Sequence, residues 1–407
     1  MSNGFKQSRV GVIPEDWEVV SLGAIGESLI GLTFSQHEVS DTGVLVLRSS
    51  NIQAGGLSFE DNVWVQAVVP DKLMIRPGDV LICARNGSRE LIGKSVLISR
   101  EMPATTFGAF MAVHRGVDGH FVSHQMRSEI VRRQIHDHLG ATINQITNRS
   151  LNSFAIPYPP TMEERNAIAG SLSDADALVE SLDALIAKKR DMKQAAMQQL
   201  VTGHTRLPGF SEEWRECKIG DFTDCKAGGT PSTGVPEFWG GSIRWMSSGE
   251  LNFRRVSEVS GRITDLGLAN SSAQMFPPMS VLIGLAGQGR TRGTSAINLV
   301  PLSTNQSIAA IFPSNEHDSR FLYYVMDTKY DELRGLSDGG GGRGGLNLSI
   351  IRSVSVNMPV RDEQEKIADV LWDMDAEIDA LVARREKAEL VKQGMMQELL
   401  SGRVRLV

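Results

Sequence analysis

The sequence is short of the residues and segments on which several protein classes depend. Among its 407 residues the cysteines are Cys83, Cys217 and Cys225, and they form no Cys-x-x-Cys pair. This scarcity argues against a disulfide framework and a structural zinc site. No uninterrupted apolar run reaches the roughly 18 residues that a membrane-spanning helix needs. The amino-terminal stretch also lacks the apolar segment of a secretory signal, so we expect a reduced, cytoplasmic protein.

A surplus of basic charge is lacking too, since the formal net charge is −6. Residues 1–157 and 208–357 each hold 14 basic and 15 acidic residues, and each set of basic residues comprises 11 Arg and 3 Lys. Arg can bind a guanine edge or a phosphate through two parallel hydrogen bonds, whereas Lys acts as a point charge. The preference for Arg is compatible with DNA recognition, and a GC-rich codon bias is the alternative explanation.

An internal repeat dominates what is present. Residues 148–207 align with 347–406 at a constant offset of 199, without a gap, and 21 of the 60 positions are identical. The two halves also begin alike, with Trp17 and Trp214 each following a Glu-Asp or Glu-Glu pair. Matches elsewhere in the halves are weaker and gapped. The sequence therefore predicts two variable blocks alternating with two similar segments.

The repeated segments have the pattern of long helices. The first follows Pro160, carries the capping-box spacing of Thr161 and Glu164, and stops at Gly203, while its counterpart stops at Gly402. Apolar residues recur in alternating steps of three and four, the spacing of a coiled-coil seam. We expect the two helices to pack antiparallel through this seam. The predicted seam residues are Ile168, Leu172, Ala175, Val179, Leu182, Ile186, Ile367, Leu371, Met374, Ile378 and Leu381.

The variable blocks contain short β-rich runs separated by turn residues, together with helical patterns near 125–139 and 320–333. The expected fold class is α+β: two similar globular domains separated by two long antiparallel coiled-coil helices, in a pseudo-twofold internal repeat. The predicted domains are 1–157 and 208–357, and the predicted spacer helices are 158–207 and 358–407.

A search for reactive centres finds no complete set. Gly287-x-Gly289 follows an apolar run, but the third glycine of a dinucleotide motif is missing and no helical pattern follows. His120 with His124, or His136 with His138, could supply two metal ligands, yet no third ligand is evident. We therefore predict no catalytic residue, no metal site and no cofactor in this chain. A binding or scaffold protein is favoured over an enzyme.

The layout resembles the specificity subunit of type I restriction–modification enzymes over essentially the whole chain. The resemblance is carried by the repeat and by Ile13–Trp17, Gly228–Pro231, Trp239–Gly240, Ile243–Trp245, Thr304–Ser307, and the segments 160–206 and 359–405. It implies that each globular domain is a target-recognition domain that reads one half of a split, asymmetric DNA site, and that the helices fix the gap between the halves.

The resemblance also implies the partners. Two modification subunits would dock on the assembly and bring S-adenosylmethionine-dependent adenine methylation, and two restriction subunits, where present, would bring ATP- and Mg-dependent translocation and cleavage. Because the domains are nearly neutral, we predict that the isolated chain binds DNA poorly. A stand-alone regulator of split operators and a protein scaffold unrelated to DNA remain as alternatives.

Base readout requires exposed Arg, Asn, Gln, Ser or Thr on loops. The segments Arg85–Arg89 and Arg290–Arg292 rank highest, because each follows a predicted strand and lies beside glycines that let the backbone approach DNA. The predicted DNA-binding residues are Arg48, Asn51, Arg85, Asn86, Arg89 and Arg149 in the first domain, and Arg244, Ser247, Ser248, Arg290, Arg292, Asn305, Gln306 and Arg343 in the second.

Overall fold

A computed structural model describes residues 4–53, 55–139, 144–287, 289–337 and 345–406. The chain divides into two compact units: unit 1 comprises residues 1–183 and 383–407, and unit 2 comprises residues 184–382. Each long helix therefore contributes one part to each unit. Within the described ranges, no helix combines the length and the apolar character needed to cross a membrane.

Unit 1 places β-sheets beside short helices, the first part of one long helix and the last part of the other. Its main sheets have the strand orders β11-β10-β13-β4 and β12-β6-β9-β5. In chain order the elements are β1 Phe5–Ser8, β2 Gly11–Pro14, β3 Glu18–Ser21, α1 Leu22–Ile25, β4 Gly26–Ile30, β5 Val39–Ser40, β6 Val44–Leu47, β7 Ile52–Gln53, β8 Gly56–Leu57, β9 Trp64–Val65, β10 Val80–Cys83, β11 Ser95–Leu97, β12 Thr105–Phe107, β13 Met111–Gly116, α2 Gly119–Arg127, α3 Glu129–Leu139, α4 Asn148–Ser153, β14 Ala155–Tyr158 and α5 Met162–Leu200.

Unit 2 repeats this plan with sheets of order β16-β23-β20-β21-β18 and β19-β17-β22. Its elements are β15 Arg215–Lys218, α6 Ile219–Phe222, β16 Cys225–Ala227, β17 Trp239–Met246, β18 Arg255–Val256, β19 Gly261–Ile263, α7 Asp265–Ala269, β20 Val281–Gly284, β21 Ser295–Asn298, β22 Ser303–Thr304, β23 Ile308–Ile311, α8 Ser319–Thr328, α9 Tyr330–Ser337, α10 Leu348–Ser353, β24 Ser355–Met358 and α11 Arg361–Leu399. The mixed fold class and both long helices predicted from the sequence are confirmed.

The strands β10 and β20 lie in the middle of their sheets. All four residues of each strand are buried, which is why both read as continuous apolar runs rather than as alternating patterns. The following helices α2 and α8 cover these strands with apolar faces, represented by Phe121 and Phe321 in the two cores.

Each helix expected in the variable blocks is divided in two. The predicted helix near 125–139 is broken at Ser128, whose backbone is extended and whose hydroxyl accepts a hydrogen bond from the backbone N–H of Val131 at 3.3 Å. A serine at this position ends α2 and caps α3, because its side chain satisfies an amide that the new helix leaves unpaired. The helix near 320–333 is interrupted at Lys329, where φ of −90° and ψ of 13° turn the chain between α8 and α9 without the extended backbone seen at Ser128.

The long helices run antiparallel, as ion pairs within each unit show. In unit 1 Arg385 of α11 pairs with Asp183 of α5 at 3.0 Å, and Lys392 pairs with Asp176 at 2.9 Å. From the first pair to the second, the residue number rises along α11 and falls along α5, so the two helices run in opposite directions. Arg385 interrupts the apolar seam, and the ion pair explains how a charged side chain is accommodated there.

The same arrangement holds in unit 2, where Lys189 pairs with Glu377 at 2.7 Å and Lys193 with Asp375 at 2.6 Å. Like Arg385, Lys193 occupies a position that the seam pattern assigns to an apolar residue. The predicted seam residues are buried, except Ala175, Met374 and Leu381, which are half-buried. The first turns of both helices also belong to the globular cores, since Ile168 and Ile367 pack there.

Each helix begins beside the end of its antiparallel neighbour. In unit 1 the fully buried Glu164 accepts hydrogen bonds from Arg405, whose guanidinium lies over the ring of Trp17 at 5.7 Å. The Glu164 backbone N–H bonds the Thr161 hydroxyl at 3.2 Å, so half of the predicted capping box is present while the carboxylate binds Arg405 instead.

The counterpart in unit 2 uses the equivalent residues. The fully buried Glu363 accepts from Arg206 Nε at 2.7 Å, and the Arg206 guanidinium lies 5.6 Å from the ring centre of Trp214. Arg206 and Glu363 are each 199 residues from Arg405 and Glu164 in the repeat. The identities found in the sequence therefore correspond to a shared joint between globular part and helices.

Candidate nucleic-acid interface

In unit 1, loops at the ends of β6, β10 and β12 form one edge of the globular part. The backbone N–H groups of Ala84 and Arg85 both donate to the carbonyl of Phe110 at 2.9 Å, and the N–H of Gly108 donates to the carbonyl of Leu47 at 3.0 Å. The amide of Asn86 donates to the Ser49 hydroxyl at 3.1 Å. We call these loops, residues 48–49, 85–89 and 108–110, the unit 1 edge. Backbone bonds hold it together and leave several side chains facing outward.

Phe110 is an outward-facing side chain that the sequence analysis missed. It is 58% exposed, and the guanidinium of Arg85 lies 5.0 Å from its ring centre. The search was restricted to polar readers, whereas an apolar side chain can contact a thymine methyl group. A large aromatic residue directly after a strand and two small residues, Gly108 and Ala109, is the signal that could have found it.

The other predicted residues of unit 1 differ in what they can offer. Arg48 is half-buried and pairs with Asp61 at 2.8 Å, while Arg89 and Arg149 are exposed. Asn51 contradicts the expectation of an exposed reader. Its side chain is fully buried, accepts from the Arg48 backbone N–H at 2.9 Å and donates to the Ser58 carbonyl at 2.9 Å. Asn51 holds its own loop in place and presents nothing to a ligand.

Unit 2 forms a corresponding edge. The N–H of Asn305 donates to the Met246 carbonyl at 3.0 Å, and the N–H of Leu285 donates to the Ser307 carbonyl at 2.8 Å. The N–H of Gly229 donates to the carbonyl of Thr304 at 2.8 Å. We call residues 228–230, 247–248, 285–287, 289–292 and 305–307 the unit 2 edge. It gathers most of the predicted readers of the second domain.

Asn305 and Gln306 lie at the centre of this edge. The side-chain Oδ1 of Asn305 accepts from the Ser307 backbone N–H at 3.1 Å, which leaves the side-chain NH2 group to donate elsewhere, and the side chain of the exposed Gln306 accepts from the Thr230 hydroxyl. Arg290 is exposed, and its backbone carbonyl accepts from the hydroxyl of Tyr330 at 3.2 Å. These amide and guanidinium groups have the donors and acceptors that base edges require.

The remaining predicted residues of unit 2 are less exposed or engaged. Arg244 is half-buried and pairs with Glu258 at 3.3 Å, and the Ser247 hydroxyl bonds Glu250 at 3.0 Å. Ser248 and Arg292 are half-buried. Arg343 lies outside the described residues, so its predicted role stays a prediction.

The two edges have the same backbone plan. In unit 1 the parallel pairing of β12 with β6 places Phe107 opposite Leu47, and in unit 2 the pairing of β22 with β17 places Thr304 opposite Met246. In each edge, the first backbone N–H after the central buried strand donates to a carbonyl three residues beyond this pairing. Ala84 donates to Phe110 in unit 1, and Leu285 donates to Ser307 in unit 2. Equivalent backbone positions thus carry different side chains, an aromatic ring in one edge and a hydroxyl in the other.

No metal centre is found among the described residues, where no group of three His, Cys, Asp or Glu side chains converges. Of the histidines considered as ligands, His124 is buried beside the Arg127 guanidinium, 2.8 Å from its Nδ1, which is an unfavourable place for a cation. Burial and this neighbouring guanidinium lower the pKa of His124 to about 4. The three cysteines are free thiols.

Comparison with known proteins agrees with this geometry. The family model described as the type I restriction modification DNA specificity domain matches residues 14–188 and again 211–391. The chain belongs to this family. Each match to the specificity domain contains one edge, and the two matches together cover most of the chain.

Individual relatives agree with the assignment to the specificity-domain family. The MjaIX specificity subunit of Methanocaldococcus jannaschii is 31% identical over 200 residues, covering 48% of this chain and 44% of that protein. The EcoKI specificity subunit of Escherichia coli is 29% identical over 217 residues, covering 50% and 46%. These alignments span about half the length of both relatives. The putative MjaX specificity subunit of Methanocaldococcus jannaschii is 23% identical over 428 residues, with 99% and 97% covered.

A solved structure shows that the specificity-domain fold extends over the chain. The type I restriction–modification S subunit from M. genitalium superposes with a TM-score of 0.65, at 15% identity, over 98% of this chain and 97% of that one. At this identity the likeness concerns the fold alone.

Proposed function

We propose that this chain is the DNA-recognition subunit of a type I restriction–modification complex. The unit 1 edge reads one half of a two-part DNA site, and the unit 2 edge reads the other half. The carrying observation is that the two edges share a backbone plan but present different side chains. Two different readers on one chain favour an asymmetric site, whereas two identical readers favour a palindrome.

Joining two readers in one chain has an energetic consequence. Once one edge has bound its half-site, the second contact becomes intramolecular, so two modest affinities combine into a larger one. The helices α5 and α11 would set the number of base pairs left unread between the halves. Each has 39 residues, and its ion pairs with the other helix restrict bending.

The helix pair also offers apolar surface for protein partners. Val391 in unit 1 is 53% exposed and Met192 in unit 2 is 47% exposed, and these residues are equivalent in the repeat. Val391 lines a pocket together with the exposed Leu178, and the exposed Leu185 lies seven residues before Met192, about two turns away on the same face of α5. Two such patches support docking of two modification subunits, because exposed apolar clusters are typical of protein interfaces.

In this proposal the chain itself transfers no methyl group and cuts no DNA. Modification subunits would supply adenine methylation with S-adenosylmethionine, and restriction subunits, if the complex includes them, would supply ATP- and Mg-dependent cleavage. The near-neutral globular parts further support weak DNA binding by the isolated chain, since phosphate neutralisation dominates nonspecific affinity.

Mapping of methylated adenines tests the proposal. The genomes of cells with and without this gene are compared, with a gene for the modification subunit present in both. We expect a two-part, non-palindromic methylated motif that disappears when this gene is deleted. Methylation that persists unchanged without the gene, or methyl transfer by the purified chain alone, would contradict the proposal. Transcriptional changes without any methylation change would favour the stand-alone regulator.

A further inference from the structure

A carboxylate in unit 1 joins three separate helices. Asp176 of α5 accepts from Arg127 Nη2 of α2 at 2.8 Å and from Lys392 Nζ of α11 at 2.9 Å. All three side chains are less than a third exposed. We call this cluster the unit 1 node. It ties the globular part, through the last residue of α2, to both long helices at once.

A second contact lies one helical turn away. His124 Nδ1 faces Arg127 Nη2 at 2.8 Å, and its Nε2 faces the Ser173 hydroxyl at 3.1 Å. Since Arg can only donate, Nδ1 is the acceptor and the proton of the neutral ring lies on Nε2, directed at Ser173. His124 and Arg127 are three residues apart on α2, as are Ser173 and Asp176 on α5. The two helices therefore contact each other through two side-chain pairs about one turn apart.

Unit 2 has a corresponding carboxylate. Asp375 of α11 accepts from the hydroxyl of Tyr324 in α8 at 2.7 Å and from Lys193 Nζ of α5 at 2.6 Å. Tyr324 is fully buried, and Lys193 also lies 5.3 Å from the centre of its ring. We call this cluster the unit 2 node. It again connects a helix of the globular part to both long helices.

The repeat relates the two nodes directly. Asp176 and Asp375 are 199 residues apart, as are Lys392 and Lys193, and both pairs are identities. The third partner differs, because a guanidinium completes one node and a phenol completes the other. An aspartate and a lysine that recur at the same place, with a globular-domain donor on the same carboxylate each time, indicate a joint whose geometry matters in both halves.

We propose that Asp176 and Asp375 are positioning residues that fix the orientation of each reading domain on the helix pair, and so determine how strictly the complex selects the gap between half-sites. This inference rests on the function proposed above. A domain that rocks on its helix moves its edge along the duplex, and neighbouring base pairs are separated by only about 3.4 Å. Small angular freedom at a node is therefore enough to admit a gap one base pair longer or shorter.

The test uses the full chain in complex with its modification subunits and a pool of fully randomised duplexes. Bound duplexes are selected and sequenced, and the gap between the two enriched half-sites is counted. Wild-type complexes are expected to enrich one gap. In the variant Asp176→Asn with Asp375→Asn, we expect the share of gaps one base pair longer or shorter to rise about fivefold, the factor for one partly buried ion pair.

A matched control uses Asp174→Asn with Asp373→Asn. These residues are also related by the repeat and lie on the same helices, but they are exposed. The control should keep the single gap of the wild type. The conservative variant Asp176→Glu with Asp375→Glu keeps both charges, and we expect its gap distribution to lie closer to that of the wild type than the Asn variant does.

A second variant separates domain orientation from helix pairing. Arg127→Met with Tyr324→Phe removes the globular-domain donors and leaves both Lys–Asp pairs between the helices intact, and we expect the same broadening of the gap. A folded variant of this kind that keeps the single wild-type gap would overturn the inference. Failure of the wild-type complex to enrich any two-part sequence would instead overturn the proposed function, and the inference with it.

Discussion

Units 1 and 2 have the same side-chain contacts where the globular part meets the long helices, and they have different side chains at the loop edges. At the helix starts both have a buried glutamate bound by an arginine that lies over a tryptophan, as with Glu164 and Arg405 or Glu363 and Arg206. At the edges the equivalent positions carry Phe110 in one unit and Ser307 in the other. The comparison separates a shared frame, the buried contacts at the helix starts, from edges whose side chains differ.

This division has a physical basis. The frame depends on buried charges and rings whose partners must change together, so a single substitution there leaves a buried group uncompensated. The edges are held by backbone hydrogen bonds, such as the bond of the Arg85 N–H to the Phe110 carbonyl, which any side chain permits. The side chains at the edges can therefore change while the joints with the helices stay the same.

The largest expected effect is on the unit 1 edge. Replacing Arg85 and Phe110 together by alanine should weaken binding of the complex to its cognate duplex about 100-fold, because each base contact contributes about 1–3 kcal/mol. Both side chains are exposed, so the melting temperature should stay close to that of the wild type. Titration of labelled duplex measures the change.

The control for this prediction is Arg76→Ala. Arg76 is also an exposed arginine of unit 1, but it precedes β10 whereas Arg85 follows it, and it pairs with Asp71 at 2.7 Å. Its replacement should leave duplex affinity within about twofold, the scale of an ordinary surface change. Equal losses in the two variants would show that general charge, and not the edge, determines binding.

A smaller effect, on the free energy of unfolding, is expected from alanine at the two equivalent glycines that follow the long helices. Gly203 and Gly402 have φ of 73° and 74°, a conformation that costs other residues about 1 kcal/mol. An added Cβ at Gly402 would lie 2.6 Å from the Pro14 ring, whereas at Gly203 its nearest contact is the Trp214 ring at 3.3 Å. We expect Gly402→Ala to lower the free energy of unfolding by about 2–3 kcal/mol and Gly203→Ala by about 1 kcal/mol.

Denaturant titration of each glycine variant measures these values. Equal destabilisation by the two alanines would show that the shared backbone conformation, and not the proline contact, sets the cost at both helix ends.

The titratable rings at the two nodes should respond differently to acid, since His124 contacts Arg127 of the unit 1 node and Tyr324 belongs to the unit 2 node. In unit 1 burial, the largest cause, lowers the pKa of His124 from 6.5 to about 4, while in unit 2 burial raises the pKa of Tyr324, which stays protonated. Because the unfolded state then binds the proton more readily, His124 adds stability above pH 6.5 that is lost as the pH falls towards 4. At pH 5 the loss amounts to about 2 kcal/mol.

Unfolding measured between pH 7 and pH 4 tests this difference. The variant His124→Gln should show a shallower fall than the wild type, while Tyr324→Phe should leave the slope unchanged. A His124→Gln variant that keeps the full wild-type slope would mean that the acid sensitivity arises elsewhere, as at the buried His114 or His317.

The smallest expected effect concerns the shared helix surface. Val391→Ser and Met192→Ser should each weaken docking of a modification subunit about fivefold, and by similar factors, because their exposed areas are similar. Titration of the modification subunit against each variant measures this. Leu266→Ser, at an exposed apolar residue of α7 in the globular part, should have no effect. A strong loss from only one of the two helix variants would contradict equivalent docking surfaces.

Much of the frame could be predicted from the sequence, because a helix repeats its contacts at fixed spacing. The repeat and the seam pattern led to both long helices, and the identities at Asp176 and Lys193 turn out to be joints. The edges could not be predicted in the same detail. Asn51, predicted as an exposed loop residue, is buried, while Phe110, which a search for polar side chains missed, is exposed. In loops, tertiary contacts decide exposure, and no local periodicity reports them.

The central claim is that each edge reads its own half of the site within a common frame. The most direct measurement is the methylated motif in cells whose chain carries Asn305→Ala and Gln306→Ala in the unit 2 edge. The account predicts that one half of the motif becomes degenerate, while the other half and the gap stay unchanged. Equal relaxation of both halves, or a fully unchanged motif, would contradict it.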